Sequence, residues 1–399
     1  MKRISNLISI LVTCTVPATY AADSVGLDKF ISEAMAQSLI LKIAKSSADA
    51  KAEDSRGIRL PPPQVGFVQM NMEMGSGTGY TIGQAIPFPT KVSSDHSART
   101  AMASAKKEEL NAKEMEIRAT AKFIYFRLWE AEERRRLLNE KVQIVANHIK
   151  LARAASRSDS FLKIHVIKAE NDLDLLKNEI IEADQVIRER QIEAAEFLNR
   201  SPNTYRPVAS DFPVSEIPDQ RSIRDPHQLE QMKFELESLK SKESFAKSQW
   251  LPDFNVQYKD MGETPSREAY KEIMISATIP FAYFWQPMSE SGKASAERMT
   301  GQYQLEKATR KIDAEKSTFL ERAKSLKLQL DMFANELLPR AEQRMKIVNN
   351  LAPRDMETLQ DQRETKEAFP DLKLKSLEIR KQYEYAIMEL EKFKSEEQK

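Results

Sequence analysis

One cysteine in 399 residues, Cys14, and only four histidines leave little material for metal or redox chemistry. No disulfide can form within the chain, and no Cys-x-x-Cys pair offers a zinc site. Ten glycines, none in a GxGxxG run, argue against a Gly-rich phosphate-binding architecture. Charge of one sign is also missing: 61 Lys and Arg face 60 Asp and Glu, a formal net charge of +1. That balance gives no electrostatic case for a nucleic acid or an acidic substrate. After the first residues no apolar run approaches the roughly 20 residues of a spanning helix, so any membrane crossing falls to strands. What the chain has in quantity is charge, 30% of residues, which with so little glycine reads as long surface helices.

The start reads as an export signal. Lys2 and Arg3 precede a mostly apolar stretch from Ile4 to Val16, and Ala18-Thr19-Tyr20-Ala21 offers a small-residue cleavage site. Removing residues 1–21 takes away two bases, no acid and the only cysteine, leaving a net charge of −1. Lipidation of Cys14 is the rival reading, although Thr13 is a poor residue before a lipidated cysteine.

Residues 25–56 read as a helix, with Leu27, Phe30, Ile31, Ala34, Met35, Leu39 and Ile40 at helical spacing, stopped by Leu60-Pro61-Pro62-Pro63. From Gln64 the period changes to two. Val68, Met70, Met72 and Met74 fall on one face and Gln69, Asn71 and Glu73 on the other. Gly75-Ser76-Gly77-Thr78-Gly79 reads as the reversal, and Tyr80, Ile82, Gln84 and Ile86 alternate with Thr81, Gly83 and Ala85, giving a hairpin over 64–86. Residues 93–198 then read as two long antiparallel helices broken near Arg157-Ser158-Asp159-Ser160, with Ile124, Leu128, Leu137, Leu138, Val142, Val145, Ile149 and Ala152 as a coiled-coil seam. A proline-rich linker, 199–225, follows.

The second half repeats the first. A helix from Pro226 to Ser248 runs into Leu251-Pro252, as the first ran into Leu60-Pro61. Phe254, Val256 and Tyr258 alternate with polar residues; after a turn near Gly262, Ile273, Ile275 and Ala277 do the same, giving a hairpin over 253–279. Ile279-Pro280-Phe281 matches Ile86-Pro87-Phe88, and long helices occupy 288–395. The Leu-Pro marks lie 191 residues apart and the Ile-Pro-Phe marks 193 apart, so the chain reads as an internal duplication, 22–198 and 226–399.

Four short strands cannot close a barrel, and lipid tolerates no open sheet edge, so closure needs several chains. Three copies supply twelve strands of roughly the 9–11 residues that span an outer membrane. The fold class expected from the residues is mainly α with a small β part, the helices hanging as a bundle from a barrel shared by several chains.

The tandem helix–hairpin–helix–helix layout, Leu251-Pro252-Asp253-Phe254, both Ile-Pro-Phe strand exits and Glu336-Leu337-Leu338-Pro339-Arg340-Ala341-Glu342 resemble the TolC-like outer-membrane efflux proteins, and within them the CzcC-like heavy-metal branch. The resemblance implies a homotrimer in the outer membrane: duplicated helix–hairpin–helix–helix units forming a trimeric 12-stranded β-barrel continued by a periplasmic α-helical barrel. It also implies docking on a periplasmic adaptor protein and an inner-membrane pump, with substrate leaving by passive conduction. It makes Val68, Met70, Met72, Tyr80, Ile82, Phe254, Val256, Tyr258, Ile273 and Ile275 residues of the barrel hairpin strands, with outer-membrane lipid as a partner. Pro87 and Pro280 become strand-to-helix junctions, and Pro339 a kink. Adaptor docking would fall at a tip formed by Arg157, Ser158, Asp159, Pro353, Arg354 and Asp355. Two departures stand out: the tip lacks the family's Tyr-x-x-Gly turn, and Pro370 interrupts the final helix.

Other chemistry is weakly supported. Met70, Met72 and Met74 could offer thioethers to a soft metal, but period-two spacing reads more simply as the apolar, lipid-facing side of a strand. His96, His148, His165 and His227 are scattered. Glu132-Glu133 and Glu108-Glu109 read as exposed helix faces with local partners, and Ser93-Ser94-Asp95-His96 is no triad, because adjacent residues do not converge. Tyr283, Phe284 and Trp285 read either as an interfacial aromatic belt or as packing at the junction. No cofactor, metal, nucleic acid or enzymatic activity is expected. The competing function is a soluble periplasmic coiled-coil scaffold, or an adaptor, either of which leaves two matched hairpins without a purpose.

Overall fold

The computed structural model describes residues 24–72, 75–155, 163–203, 205–219, 226–263, 268–278, 285–351 and 356–393. The expected signal peptide, Met74, Pro280, Tyr283, Phe284 and all six tip residues lie outside the described residues. The chain is mostly helical with a small sheet and divides into two compact units.

The first unit comprises Met1–Phe30 with Ile124–Phe212. Its strands β1 (Ser24–Val25) and β4 (Val208–Ala209) pair in parallel. Its helical part is the end of α3 (Pro89–Ala155) with α4 (Lys163–Phe197). The seam expected on α3 is buried: Leu128, Leu137, Leu138, Val145, Ile149 and Ala152 are all inside. Val145 and Ile149 cluster with Ala169 and Leu176 of α4, and Arg127–Glu193 (2.7 Å) ties the two helices at their rim. α4 closes on Asn199, in the left-handed region at φ 52°, with Arg200 N–H reaching Ala195 O at 2.8 Å, a terminus that uses asparagine where glycine is commoner.

The proline-rich stretch is extended, as its composition predicts, but it is docked rather than free. Phe212 is buried against Tyr125, Phe126 and Trp129, with ring centroids 6.2, 5.2 and 6.3 Å away. The Tyr125 hydroxyl donates to Val25 O (2.8 Å) and accepts from Ser210 N–H (2.8 Å), fastening both sides of the β1–β4 pair to α3.

The second unit comprises Ile31–Phe123 with Pro213–Lys399. Residues 25–56, expected as one helix, are two, α1 (Leu27–Gln37) and α2 (Leu39–Asp54), because the Ser38 side chain caps the second by accepting from Leu41 N–H at 3.3 Å. Strands β2 (Gln64–Met72) and β3 (Gly75–Ile86) precede α3; α5 (His227–Ser248), β5 (Asp253–Met261) and β6 (Tyr270–Thr278) follow the linker. Then come α6 (Trp285–Met332), α7 (Leu338–Asn349) and α8 (Met356–Glu391). Ala323, Leu326 and Leu330 of α6 pack on Tyr383, Ala386, Ile387 and Leu390 of α8 to form its main core.

Pro339 acts one turn early. Residues Phe333–Leu337 widen into a π-turn in which Leu338 N–H bonds Phe333 O, which accommodates the donor Pro339 cannot supply. Pro370, expected to interrupt the last helix, is carried inside α8. A helix packed along its length on α6 and α7 survives the loss of one internal hydrogen bond.

Candidate channel wall

Four antiparallel strands form one sheet in the order β2-β3-β5-β6, so the two hairpins of the duplicated halves lie edge to edge, joined through β3 and β5. The cross-strand register sorts every residue onto one of two faces. One face carries Val65 and Phe67 of β2, Tyr80, Ile82 and Ile86 of β3, Phe254, Val256 and Tyr258 of β5, and Ile273, Ile275 and Ala277 of β6. Apart from the half-buried Tyr258 these are exposed side chains, Val65 at 76% and Ile275 at 72%, and together they make the face predominantly apolar. Gln84 interrupts it at one end, spending its amide on Pro61 O (2.7 Å) and Ala85 O (2.9 Å). At the other end the face turns polar through Asp260, which accepts from the hydroxyls of Tyr80 (3.1 Å) and Tyr258 (3.2 Å), with Lys271 Nζ 3.9 Å away.

The opposite face carries Gly66, Val68 and Met70, then Gly77, Gly79, Thr81 and Gly83, then Asn255, Gln257, Lys259 and Met261, then Tyr270, Glu272, Met274, Ser276 and Thr278. It is mainly polar or bare. Gly79 is required here, since a Cβ would lie 2.2 Å from Asp260 O and 2.5 Å from Met261 Sδ, and Met261 occupies that space with only 2% of its surface exposed.

Two expectations are corrected by this register. Val68 and Met70 belong to the polar face, and Met72 pairs with Gly75 in the same row set; the residues of β2 on the apolar face are Val65 and Phe67. Seven of the sequence-selected strand residues, Tyr80, Ile82, Phe254, Val256, Tyr258, Ile273 and Ile275, do share the apolar face. The second correction is the first turn. Gly75–Gly79 is strand, its alternate glycines all on the polar face, with Gly75 already paired to Met72. Glycine there marks a bare wall rather than a bend.

The sheet is anchored to helix at Asp253, a residue whose part the sequence does not announce beyond its place in Leu-Pro-Asp-Phe. Its Oδ1 accepts Phe88 N–H at 3.0 Å and Lys91 Nζ at 2.8 Å, with Lys91 only 5% exposed. Pro87 lies between the end of β3 at Ile86 and the start of α3 at Pro89, and the first donor after it is satisfied from the other hairpin. Trp285 opens α6 and is exposed.

Away from the sheet, Asp95 is committed to Arg99 (2.8 Å), Glu109 to Lys106 (2.6 Å), Glu133 to Arg136 (2.8 Å) and Glu108 to His227 (2.6 Å); His148 is buried. Glu132 departs from the exposed-face expectation. Burial pushes its carboxyl up to about 7, against the lowering effect of a hydrogen bond from the Ala209 backbone. In the second unit Glu384 is likewise raised by burial while accepting Ser215 N–H (3.0 Å), and the Tyr383 hydroxyl, raised to about 12 by burial, donates to Ser215 O (2.6 Å). Among the described residues no group of three or more His, Cys, Asp or Glu could hold a metal ion, and no helix is long and apolar enough to cross a membrane.

No family model matches the chain, and no curated protein sequence does. Solved structures do. CusC, described as forming a transmembrane channel, is 11% identical with a TM-score of 0.75 over 98% of this chain and 97% of that one. The MtrE outer-membrane channel of Neisseria gonorrhoeae, in its open state, is 14% identical with a TM-score of 0.74 over 92% of this chain and 88% of that one. The CmeC outer-membrane channel of Campylobacter jejuni is 14% identical with a TM-score of 0.70 over 92% and 85%. The chain has the fold of the TolC-like outer-membrane channels. The three structures named are of channel proteins.

Proposed function

We propose that this chain is one subunit of an outer-membrane channel in a tripartite efflux or secretion system. One observation carries the reading: a four-stranded sheet with an exposed apolar face, a polar face lined by glycine, and two unpaired outer strands, β2 and β6. Water would not favour such a sheet alone, and lipid would not accept its edges. Three copies closed into twelve strands satisfy both conditions, turning the apolar face to lipid and the polar face to a water-filled bore. A strand of nine residues, tilted as barrels require, stands about 24 Å tall, the height of the apolar band of an outer membrane. The Tyr80, Tyr258 and Asp260 cluster supports an interfacial girdle at one rim.

The helices would continue the bore into the periplasm, meeting an adaptor protein and an inner-membrane pump at the far tip, with Arg157, Ser158, Asp159, Pro353, Arg354 and Asp355 as docking candidates. Conduction would be passive, energy being supplied by the pump. The test is the native mass and fractionation of the full-length protein, followed by conductance in planar bilayers. A detergent-requiring trimer in the outer-membrane fraction that opens stable pores is the expected result. A monomer released by osmotic shock would overturn the reading and leave a periplasmic scaffold in its place.

A further inference from the structure

The polar face of the sheet holds little charge, and nearly all of it stands in one row. Square to the strands, that row crosses Gly66, Thr81, Lys259 and Glu272. Among the described residues the other charged side chain on this face is Asp253, at the helical end, where Lys91 and the Phe88 N–H take up its Oδ1. The inference rests on the channel reading above, which turns this face to a water-filled bore, and deepens it by naming the charge of solute that the bore favours.

One base opposite one acid gives no preference if the two are equivalent, and they are not. Lys259 is half-buried, and its Nζ lies 5.7 Å from the centre of the ring of Tyr270, its diagonal neighbour on β6. A cation drawn to an aromatic face is held against the wall. Glu272 is exposed, and among the described residues no ion pair or side-chain hydrogen bond engages it, although Lys259 stands directly opposite. β2 brings no cation to it either, since Gln64, Gly66, Val68 and Met70 are its residues on this face. In salt water fields fade over about 10 Å, so a charge standing free in the bore outweighs an equal one held back at the wall. Tyr270 and Met274 flank Glu272 on the same strand and face, setting a ring and a thioether beside the carboxylate. Together the three offer an acid for a positive charge and apolar surface for the body that carries it.

We infer that Glu272 makes the strand-walled bore favour cationic over anionic solutes, Lys259 being withdrawn onto Tyr270. The test is the zero-current potential of the full-length channel in planar bilayers under a potassium chloride gradient. Glu272→Gln should move the potassium-to-chloride permeability ratio toward chloride by about three-fold near about 0.1 M salt, and the shift should shrink near about 1 M as screening shortens. Lys259→Gln should move the ratio the other way by less than about 1.5-fold. Glu272→Cys in a Cys14→Ser background reads the same position inside an assembled pore. A sulfonate-bearing methanethiosulfonate should restore the original ratio there, and a trimethylammonium-bearing one should drive it further toward chloride. An unchanged ratio in Glu272→Gln would overturn the inference, as would a Lys259→Gln shift of equal size, because the pair would then act symmetrically. Where Glu272→Gln does not assemble, modified Glu272→Cys decides: equal ratios with both reagents overturn the inference. A wild-type chain that opens no pore would instead overturn the channel reading beneath it.

Discussion

Glu132→Gln should stabilise the protein at pH 8 and leave it unchanged at pH 4. The carboxyl is raised to about 7 by burial, above the ordinary 4.5, so the folded state holds its proton more tightly than the unfolded chain does. Such an acid contributes fully below the unfolded value, and its contribution is lost as pH climbs through about 7. At 1.36 kcal/mol per unit the unscreened cost of ionising it is about 3 kcal/mol; partial exposure lets solvent screen this, leaving about 1–2 kcal/mol. Glutamine keeps an oxygen for the Ala209 N–H and never ionises. With an unfolding entropy near 2.1 cal/mol/K per residue, that gain raises Tm by about 1–3 °C in a chain of this size. Differential scanning calorimetry of both proteins in one detergent, at half-unit steps from pH 4 to 8.5, gives the profile. A constant difference across the range, or a less stable variant at pH 8, would refute the reasoning, because it would mean that the carboxylate is charged and useful where it sits.

Asp253→Ala should strand the buried Lys91 ammonium and the Phe88 N–H, costing about 3 kcal/mol and lowering the yield of assembled protein; adding Lys91→Met should recover most of it, as heat-resistant oligomer on a gel would reveal. Gly79→Val has no room against Asp260 O and Met261 Sδ and should abolish assembly, whereas Gly83→Ala, with no neighbour nearer than 3.8 Å, should leave it intact by the same gel. Tyr383→Phe should cost about 1–2 kcal/mol through the Ser215 carbonyl it leaves unpaired, read as a lower midpoint in denaturant at unchanged slope.

Period and punctuation made most of the architecture legible. Alternation in Phe254, Val256, Tyr258 and in Ile273, Ile275, Ala277 is clean, and both stretches fold as read. The seam from Leu128 to Ala152 was equally clear, because a long helix must repeat its buried face. β2 resisted because both of its faces carry large apolar residues: Val65 and Phe67 on one, Val68 and Met70 on the other. Alternation then identifies a strand without saying which side belongs to the apolar face of the sheet, and only the neighbours Lys259, Glu272 and Thr81 decide it. Gly75 to Gly79 misled for a related reason, since glycine serves both a turn and a strand that must stay thin. Glu132 and Asp253 were illegible as individuals. A carboxylate in a charged helix, or after Leu-Pro, does not declare its burial or its partner until residues 77 or 162 positions away are brought beside it.

The glycines of β3 bear on the size of what could pass. Gly77, Gly79 and Gly83 give each copy one strip of wall with almost no side-chain thickness, broken only by Thr81 and partly roofed by Met261. In the proposed ring of three copies these strips would recur every 120°, and the clear cross-section would be a three-lobed keyhole rather than a circle. An elongated or flat solute could then slip through along a lobe where a round one of equal volume would catch on the lysine, tyrosine and methionine side chains between the lobes.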